Sequence, residues 1–347
     1  MKKWVARLSA LLFVLMTAGY ANADAMQSIM FTDRIEELEA GLSVVAFEGD
    51  DLFTAFLEAG GAQSDAQVAS FLTAKLLTGE GSVELNGQFF GCSTLSAQTP
   101  EGQRLFGRNF DWNHCNALIV RSTPEHGYAS VSTVNTDFIS ASGVPMGLLP
   151  HGIRALIGLY APLDGMNAAG LAVSVNMIQD NATIAQETDK PDLTTTTTVR
   201  LLLNQAATVD EAIGLLTAYD LHASMGMMVH FAIADKAGRS VVVEYIDNEM
   251  VVTETPVVTN FYLSEGEKNG VGTQQSHERY EQLMRLDSAA LTMDAMRDAM
   301  DSVSKDNFGG FESTEWSIVM NQRTGEMRYF HREDYENGYV VQLLMEE

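Results

Sequence analysis

The run from Gly91 to Trp112 constrains this chain more than any other. Cys92-Ser-Thr-Leu-Ser-Ala-Gln98 is compatible with a strand, Thr99-Pro-Glu-Gly102 has Pro and Gly where a tight turn wants them, and Gln103 to Trp112 resumes an extended pattern. A hairpin over this run sets Cys92 at the start of one strand and returns Arg108 and Asp111 beside the sulfur on the next. A thiol needs a neighbouring cation to ionise near neutral pH, and Arg108 is placed to supply one. On hairpin grounds alone a buried structural cysteine is the simpler reading. An Arg108–Asp111 ion pair would contribute little if exposed.

The N-terminus predicts an export signal. Lys2, Lys3 and Arg7 form a positive region, Ala10 to Met16 an apolar core, and Ala21-Asn22-Ala23 an A-x-A cleavage site. The apolar run is short for a bilayer-spanning helix, no later segment is long and apolar enough, and no cysteine follows the cleavage site to carry a lipid. The expectation is a protein without a membrane anchor, periplasmic or secreted after signal removal near Ala23. The net charge of −25, which becomes −28 without the three basic residues of the signal, argues against nucleic acid or anionic membrane as partner.

Apolar residues at helical spacing predict helices in Asp33–Val45, Asp51–Glu58 and Ser64–Leu77, the last with Ser64 as N-cap and Gln67 completing a capping box. Residues 24–91 therefore read as a small helical pre-segment ahead of a longer unit over 92–347. Strand character follows in Leu118–Arg121, Ala129–Val134 and Gly170–Asn176, and a meander runs from His230 to Asn260 with a turn at Asp235-Lys-Ala-Gly238. Thr208-Val-Asp-Glu211 caps a helix that runs through Tyr219, and Ser276–Asp287 and Thr292–Ser302 read as two more. Trp316–Met320 with Met327–His331 form a closing hairpin, and Thr194–Thr198 reads as a loop. Strand runs separated by helices predict packed sheets with helices outside.

Gly91-Cys92, the turn Thr99–Gly102 and Leu105-Phe-Gly-Arg-Asn-Phe-Asp-Trp112 resemble the opening of the choloylglycine hydrolase and penicillin V acylase family. Its members are linear-amide hydrolases of the N-terminal-nucleophile superfamily, related to acid ceramidase and the N-acylethanolamine acid amidases. Cys92 precedes Arg108 by 16 residues and Asp111 by 19, which matches the family's spacing. Asp164-Gly-Met-Asn-Ala-Ala-Gly-Leu171 leading to Asn176, then Val258-Thr-Asn260, then Ser276-His-Glu-Arg279 follow in the family's order. The spacing before Asn176 is one residue short of the usual pattern.

The resemblance implies an α+β fold, a four-layer αββα sandwich of two antiparallel sheets flanked by helices, with no cofactor and no metal. It implies Cys92 as nucleophile once it is the first residue, with its freed α-amine as general base, since such an amine titrates near pH 7–8. Asp111 would orient that amine, Arg108 and Arg279 would stabilise thiolate and developing negative charge, and Asn176 and Asn260 would hold the oxyanion. Taken singly, either asparagine would read as satisfying a strand end, and Arg279 as a solvated helix face.

Cys92 becomes N-terminal only if the Gly91–Cys92 bond is cut, and attack of its own thiol on the Gly91 carbonyl would cut it. Glycine gives that peptide little steric protection and permits strained backbone angles. The 68 residues between the signal and Cys92 are more like the ceramidase and amidase branch, and whether they stay bound is left open, as is a homo-oligomer. The expected substrate is a small N-acyl compound of bile-salt, penicillin V, N-acyl amide or N-acyl homoserine lactone type. Ser140–Pro162, rich in small and apolar residues, is either an acyl-pocket lining or a loop packed on the core. Two alternatives stand beside the amidase: an acyltransferase of the same superfamily, and a non-catalytic exported binding protein with a Cys92–Cys115 disulfide. Two cysteines cannot fill a structural zinc site, and none of the seven histidines joins a G-x-S-x-G motif.

Overall fold

The computed structural model describes residues 26–76, 91–141, 146–265, 272–308 and 312–346. The expected signal peptide lies outside the described residues. The chain enters with β1 (Gln27–Ser28) and a hairpin of β2 (Glu36–Glu39) and β3 (Leu42–Gly49), followed by α1 (Phe53–Glu58) and α2 (Asp65–Leu76). Four strands follow: β4 (Gly91–Gln98), β5 (Arg104–Trp112), β6 (Ala117–Pro124) and β7 (Ser130–Asn135). Helices α3 (Thr136–Ala141) and α4 (His151–Leu159) lead to the hairpin of β8 (Asp164–Asn167) and β9 (Ala172–Met177). Short β10 (Asp192–Thr194) feeds α5 (Thr195–Gln205), and α6 (Val209–Leu216) leads to β11 (Asp220–His222). A meander of β12 (Val229–Ala234), β13 (Ser240–Ile246) and β14 (Glu249–Glu254) is followed by β15 (Val257–Val258). Helices α7 (Gln274–Met284) and α8 (Met293–Asp301) precede β16 (Ser313–Asn321), β17 (Glu326–His331) and β18 (Tyr339–Gln342).

These strands form two large sheets and one small one. The seven-stranded sheet has the order β1-β18-β17-β16-β5-β4-β15 and the nine-stranded sheet β14-β13-β12-β9-β8-β7-β6-β3-β2, while β10 and β11 pair by themselves. Pairing is antiparallel except at β1–β18, β3–β6 and β10–β11. The two large sheets bury Leu42, Val44, Phe106, Phe110, Ile119, Met166, Trp316 and Ile318 between their faces. On the far face of the seven-stranded sheet Leu95, Leu105 and Val319 pack against Leu283 of α7 and Met296 and Met300 of α8. Beyond the nine-stranded sheet, Val173, Val175 and Phe231 pack on α5 and α6, and Val45, Leu118 and Val120 pack on α1, α2 and α4. Helices, sheet, sheet and helices make the four αββα layers the resemblance implied.

Three local expectations are corrected. Asp33–Val45 is not helical but the hairpin β2–β3, turning at Gly41 with φ of +89°. Leu42 and Val44 face the inter-sheet core while Val45 faces the outer helices, and burial on both sides imitates helical spacing. Residues 24–91 are thus not simply helical: β3 pairs with β6 over eight residues, from Leu42 opposite Ala117 to Gly49 opposite Pro124. Thr194–Thr198 opens α5 instead of forming a loop, because Thr197 Oγ1 accepts from the Thr194 amide at 2.8 Å and closes the first turn. Within Ser140–Pro162 lies α4, whose Ala155, Leu156 and Leu159 are buried under the outer helical layer and face away from the inter-sheet core. Val144 lies outside the described residues.

Other expectations are met with small shifts. Ser64 Oγ accepts from the Gln67 amide at 3.3 Å, but the Gln67 side chain reaches the Gln63 amide instead of closing the box. Thr208 caps α6 through the Glu211 amide, and that helix ends at Leu216.

One glycine sets how closely β8 meets its neighbour. A β-carbon at Gly165 would lie 2.6 Å from the Val131 carbonyl oxygen, an atom fixed in the sheet. Gly165→Ala is expected to lower stability by roughly 1–3 kcal/mol through forced separation of β7 and β8, measured as a reduced urea midpoint at unchanged m-value. An unchanged midpoint would mean the strands can part there freely.

Candidate active site

Cys92 is the second residue of β4, whose partner strand is β5. The register sets Gly91 opposite Asp111, Cys92 opposite Phe110, and Thr94 opposite Arg108. Side chains alternate across a strand, so Cys92 and Arg108 share the face toward the nine-stranded sheet while Ser93 and Asp111 share the face toward α7. The active centre is therefore built on both faces of one hairpin.

On the inner face Arg108 is completely buried. Its Nε donates to Asp164 Oδ2 at 3.0 Å, Nη2 to the Val175 carbonyl at 3.1 Å and Nη1 to the Asn109 carbonyl at 2.9 Å. The Cys92 Sγ lies 3.8 Å from the same Val175 carbonyl. Burial pulls the Arg108 guanidinium down, but the Cys92 sulfur and the Asp164 carboxylate outweigh it and hold the group above its ordinary value. A permanent cation thus sits beside the sulfur.

On the outer face Arg279 of α7 gathers the backbone. Its Nη1 donates to the Cys92 carbonyl at 2.8 Å and reaches Asp111 Oδ2 at 3.3 Å, and its Nη2 donates to Asn260 Oδ1 at 2.8 Å. The Cys92 amide also donates to Asn260 Oδ1, at 2.8 Å. Asp111 accepts from Thr314 Oγ1 at 2.7 Å and lies 3.8 Å from Lys305 Nζ.

All six expected side chains and Gly91 converge here, with one difference of detail. It is Asn260, and not Asp111, that meets the Cys92 nitrogen. The two asparagines spend their Nδ2 donors on carbonyls: Asn260 on Met177 at 2.8 Å, and Asn176 on Val258 at 3.3 Å. Asn176 Oδ1 accepts from Ser174 at 2.8 Å and from Arg108 Nη1 at 3.5 Å, so it braces the arginine. The single missing residue before Asn176 does not remove it from the cluster.

Sequence reasoning gave no role to Asp164, Ser93, Thr314, Lys305 or Glu312. Asp164 opens the very motif that leads to Asn176, and its partner could have been sought among the arginines. Lys305 and Glu312 carried no signal, since a loop with scattered charge reads as solvated surface.

Behind Asn260 lies a buried His230–Glu244 pair. His230 Nδ1 is 3.2 Å from Glu244 Oε1 and Nε2 is 2.9 Å from the Thr259 carbonyl. The ring thus bridges Glu244 to the backbone beside Asn260. Glu244 also accepts the Leu263 and Ser264 amides at 2.8 and 2.7 Å, and so fixes the segment that carries Asn260.

Cys115 is buried and neither cysteine is bonded to another, so the disulfide of the binding-protein alternative is not formed. Burial, with Glu315 and Asp137 nearby, pushes the Cys115 thiol well above its ordinary value, which leaves it a poor nucleophile. No group of three or more His, Cys, Asp or Glu that could hold a metal occurs among the described residues.

The comparisons with known proteins agree with this arrangement. No curated protein matches the chain. Among solved structures it is similar to a variant of the conjugated bile acid hydrolase of Clostridium perfringens, with a TM-score of 0.56 and 15% identity over 74% of this chain and 94% of that one. Penicillin V acylase of Agrobacterium tumefaciens gives a TM-score of 0.52 at 17% identity, over 73% of this chain and 86% of that one. At such identities the likeness establishes the fold. Residues 92–262 match the family described as linear amide C-N hydrolases, choloylglycine hydrolase family, a span that includes every expected site residue except Gly91 and Arg279.

Glu244 makes the scaffold testable. Burial raises its carboxyl, but the hydrogen bond and charge of His230, with the Leu263 amide and Ser264, hold it down to about 2 from an ordinary 4.5. A depressed carboxylate contributes stability that is complete above the unfolded-state value and is lost as pH falls toward the folded one. Wild type is therefore expected to lose stability between pH 4.5 and about 2, with Glu244→Gln losing less across that window. At pH 7 Glu244→Gln is expected to be less stable by about 3 kcal/mol, since its amide nitrogen cannot accept a backbone amide that the carboxylate holds. Equal denaturation curves for the two proteins at pH 7 would refute the pair. The hairpin register, the buried guanidinium beside the sulfur and the family match point the same way: residues 92–262 match the linear amide C-N hydrolases of the choloylglycine hydrolase family.

Proposed function

We infer that this protein is an exported amidase that hydrolyses the linear amide bond of a small N-acyl compound, using Cys92 freed by cleavage of its own Gly91–Cys92 bond. One observation carries the reading. Every polar atom of Cys92 has its own partner: Sγ lies at the Val175 carbonyl beside Arg108, N at Asn260, and O at Arg279. A merely structural cysteine needs none of this.

In the uncut chain the Cys92 thiol attacks the Gly91 carbonyl, and the liberated Cys92 nitrogen becomes the general base. The amine takes the thiol proton, the thiolate adds to the substrate carbonyl under the field of Arg108, and the amine leaving group departs with that proton. Asn260, already at the Cys92 nitrogen, holds it in place, while Asn176 and Asn260 are the donors nearest the developing oxyanion once their carbonyl partners shift. Asp111 and Arg279 form the polar floor beneath the new terminus. The apolar residues between the sheets, Phe110 and Trp316 among them, favour an acyl group over a charged one. Likeness to a bile acid hydrolase and a penicillin V acylase supports bile-salt conjugates, penicillin V and simple N-acyl amides as the first substrates to try.

Residues 26–76 stay bound after the cut, in this reading. Strand β3 is interior to a sheet, and Phe53, Phe56 and Leu72 are buried in the domain's outer core. Two fragments are therefore expected to co-purify and to separate only in denaturant. Fragments that part in native buffer would count against retention.

N-terminal sequencing of purified protein is expected to return Cys92, and amide turnover by Cys92→Ala to fall on the order of 10⁴-fold or more, with its chain uncut. A Cys92→Ala protein that turns over amides at the native rate would remove the basis of the assignment.

A further inference from the structure

The glycine on the other side of the scissile bond is enclosed by charge. A β-carbon at Gly91 would lie 2.7 Å or less from Lys305 Nζ, Glu312 Oε1 and Asp111 Oδ2 together. The backbone alone admits Gly91 there, and any side chain would strike an ammonium and two carboxylates. None of these groups touches the sulfur, which points to the opposite face of β4.

Glu312 is the uncommitted member of this cluster. Its Oε2 pairs with Lys305 Nζ at 2.6 Å, while Oε1 is buried with no hydrogen-bond partner among the described residues. Lys305 is fixed by its own backbone, whose amide donates to Thr314 Oγ1 at 2.8 Å and whose carbonyl accepts from the Thr314 amide at 3.1 Å. Covalent geometry puts the Gly91 carbonyl carbon about 2.5 Å from a β-carbon position, hence within roughly 5 Å of Glu312 Oε1. One water fits between a base and a carbonyl at that separation. A cavity of about 390 Å³, lined by Trp112, Phe308, Glu312 and Arg332 among others, opens beside the carboxylate.

We propose that Glu312, held by Lys305, is the general base that activates the water completing self-cleavage at Gly91–Cys92. This rests on the processing reading above. In the first step Cys92 Sγ bonds to the Gly91 carbonyl carbon, the C–N bond breaks, and the thiol proton ends on the Cys92 nitrogen, leaving a Gly91 thioester. In the second, water adds to that carbonyl carbon as Glu312 takes one of its protons. The C–S bond then breaks, Glu312 returns the proton to sulfur, and the new Gly91 carboxyl ionises. The mature site keeps its thiol, and the segment through Gly91 ends in that carboxylate. Burial raises Glu312 above the usual carboxylate range against the pull of Lys305, which makes it a better base once ionised. Lys305 is a positioning residue for that carboxylate.

The experiment follows full-length Glu312→Gln beside wild type and Glu312→Asp, by intact mass and N-terminal sequencing, with and without neutral hydroxylamine. Hydroxylamine splits thioesters and leaves a hydroxamate on Gly91, whereas amides at neutral pH resist it. Glu312→Gln is expected to mature at least about 100-fold more slowly than wild type. Added hydroxylamine should release both of its fragments, with hydroxamate on Gly91, and Glu312→Asp should regain part of the rate. A hydroxylamine-sensitive Glu312→Gln chain also shows that its site is folded. Maturation of Glu312→Gln at the wild-type rate overturns the proposal, and so does an uncut chain that hydroxylamine leaves intact. A wild-type chain that never acquires Cys92 as its N-terminus overturns the processing reading instead.

Discussion

The contact on which the rest depends is the buried ion pair of Arg108 with Asp164. It joins the seven-stranded sheet to the nine-stranded one, since Arg108 belongs to β5 and Asp164 to β8. Desolvating two such charges is expensive, and their attraction offsets it only with near-ideal geometry and further hydrogen bonds. Further hydrogen bonds are present, since Arg108 also donates to two carbonyls and Trp316 Nε1 donates to Asp164 Oδ2 at 3.0 Å, while Asp164 Oδ1 has no partner among the described residues. A purely hydrophobic seam would bind the sheets equally well but would leave the sulfur without a cation. The inter-sheet core of Phe106, Phe110, Trp316 and Ile318 supplies the cohesion around the polar seam.

The hairpin half of the candidate site was legible because it is local. A hairpin with a tight turn converts linear spacing into register, so the separation of Cys92 from Arg108 already implied adjacent side chains on one face. Asn260 and Arg279 were readable only as members of an ordered series, and their partnership with the Cys92 backbone depends on α7 docking against β4. Lys305 and Glu312 lie some two hundred positions beyond Cys92, and no periodicity links a loop to a glycine. Their part emerges only when three-dimensional packing shows how little room Gly91 has.

The misread elements share a physical cause. Strand β3 is covered on both sides, so its apolar residues fall at 42, 44 and 45 without the alternation of a half-exposed strand. Threonines at 194–198 are poor helix formers, yet Thr194 and Thr197 close the first turn, and the turns beyond, with Val199, Leu202 and Leu203, are buried against the sheet. In both places tertiary burial overrides local propensity. The long run 140–162 follows the same logic, with α4 made amphipathic by residues only four apart.

Strand β3 has a consequence for how the polypeptide must be made. It comes from the part of the chain ahead of Cys92 and supplies the neighbour that covers β6. A gene shortened to start translation at Cys92 would yield the catalytic residues but leave β6 as a bare sheet margin, its amides and carbonyls unpaired beside exposed Leu118 and Val120. Such margins recruit other chains, and the shortened product would clump where the full-length one folds. The leading segment is thus part of the folded sheet and not an appendage to it.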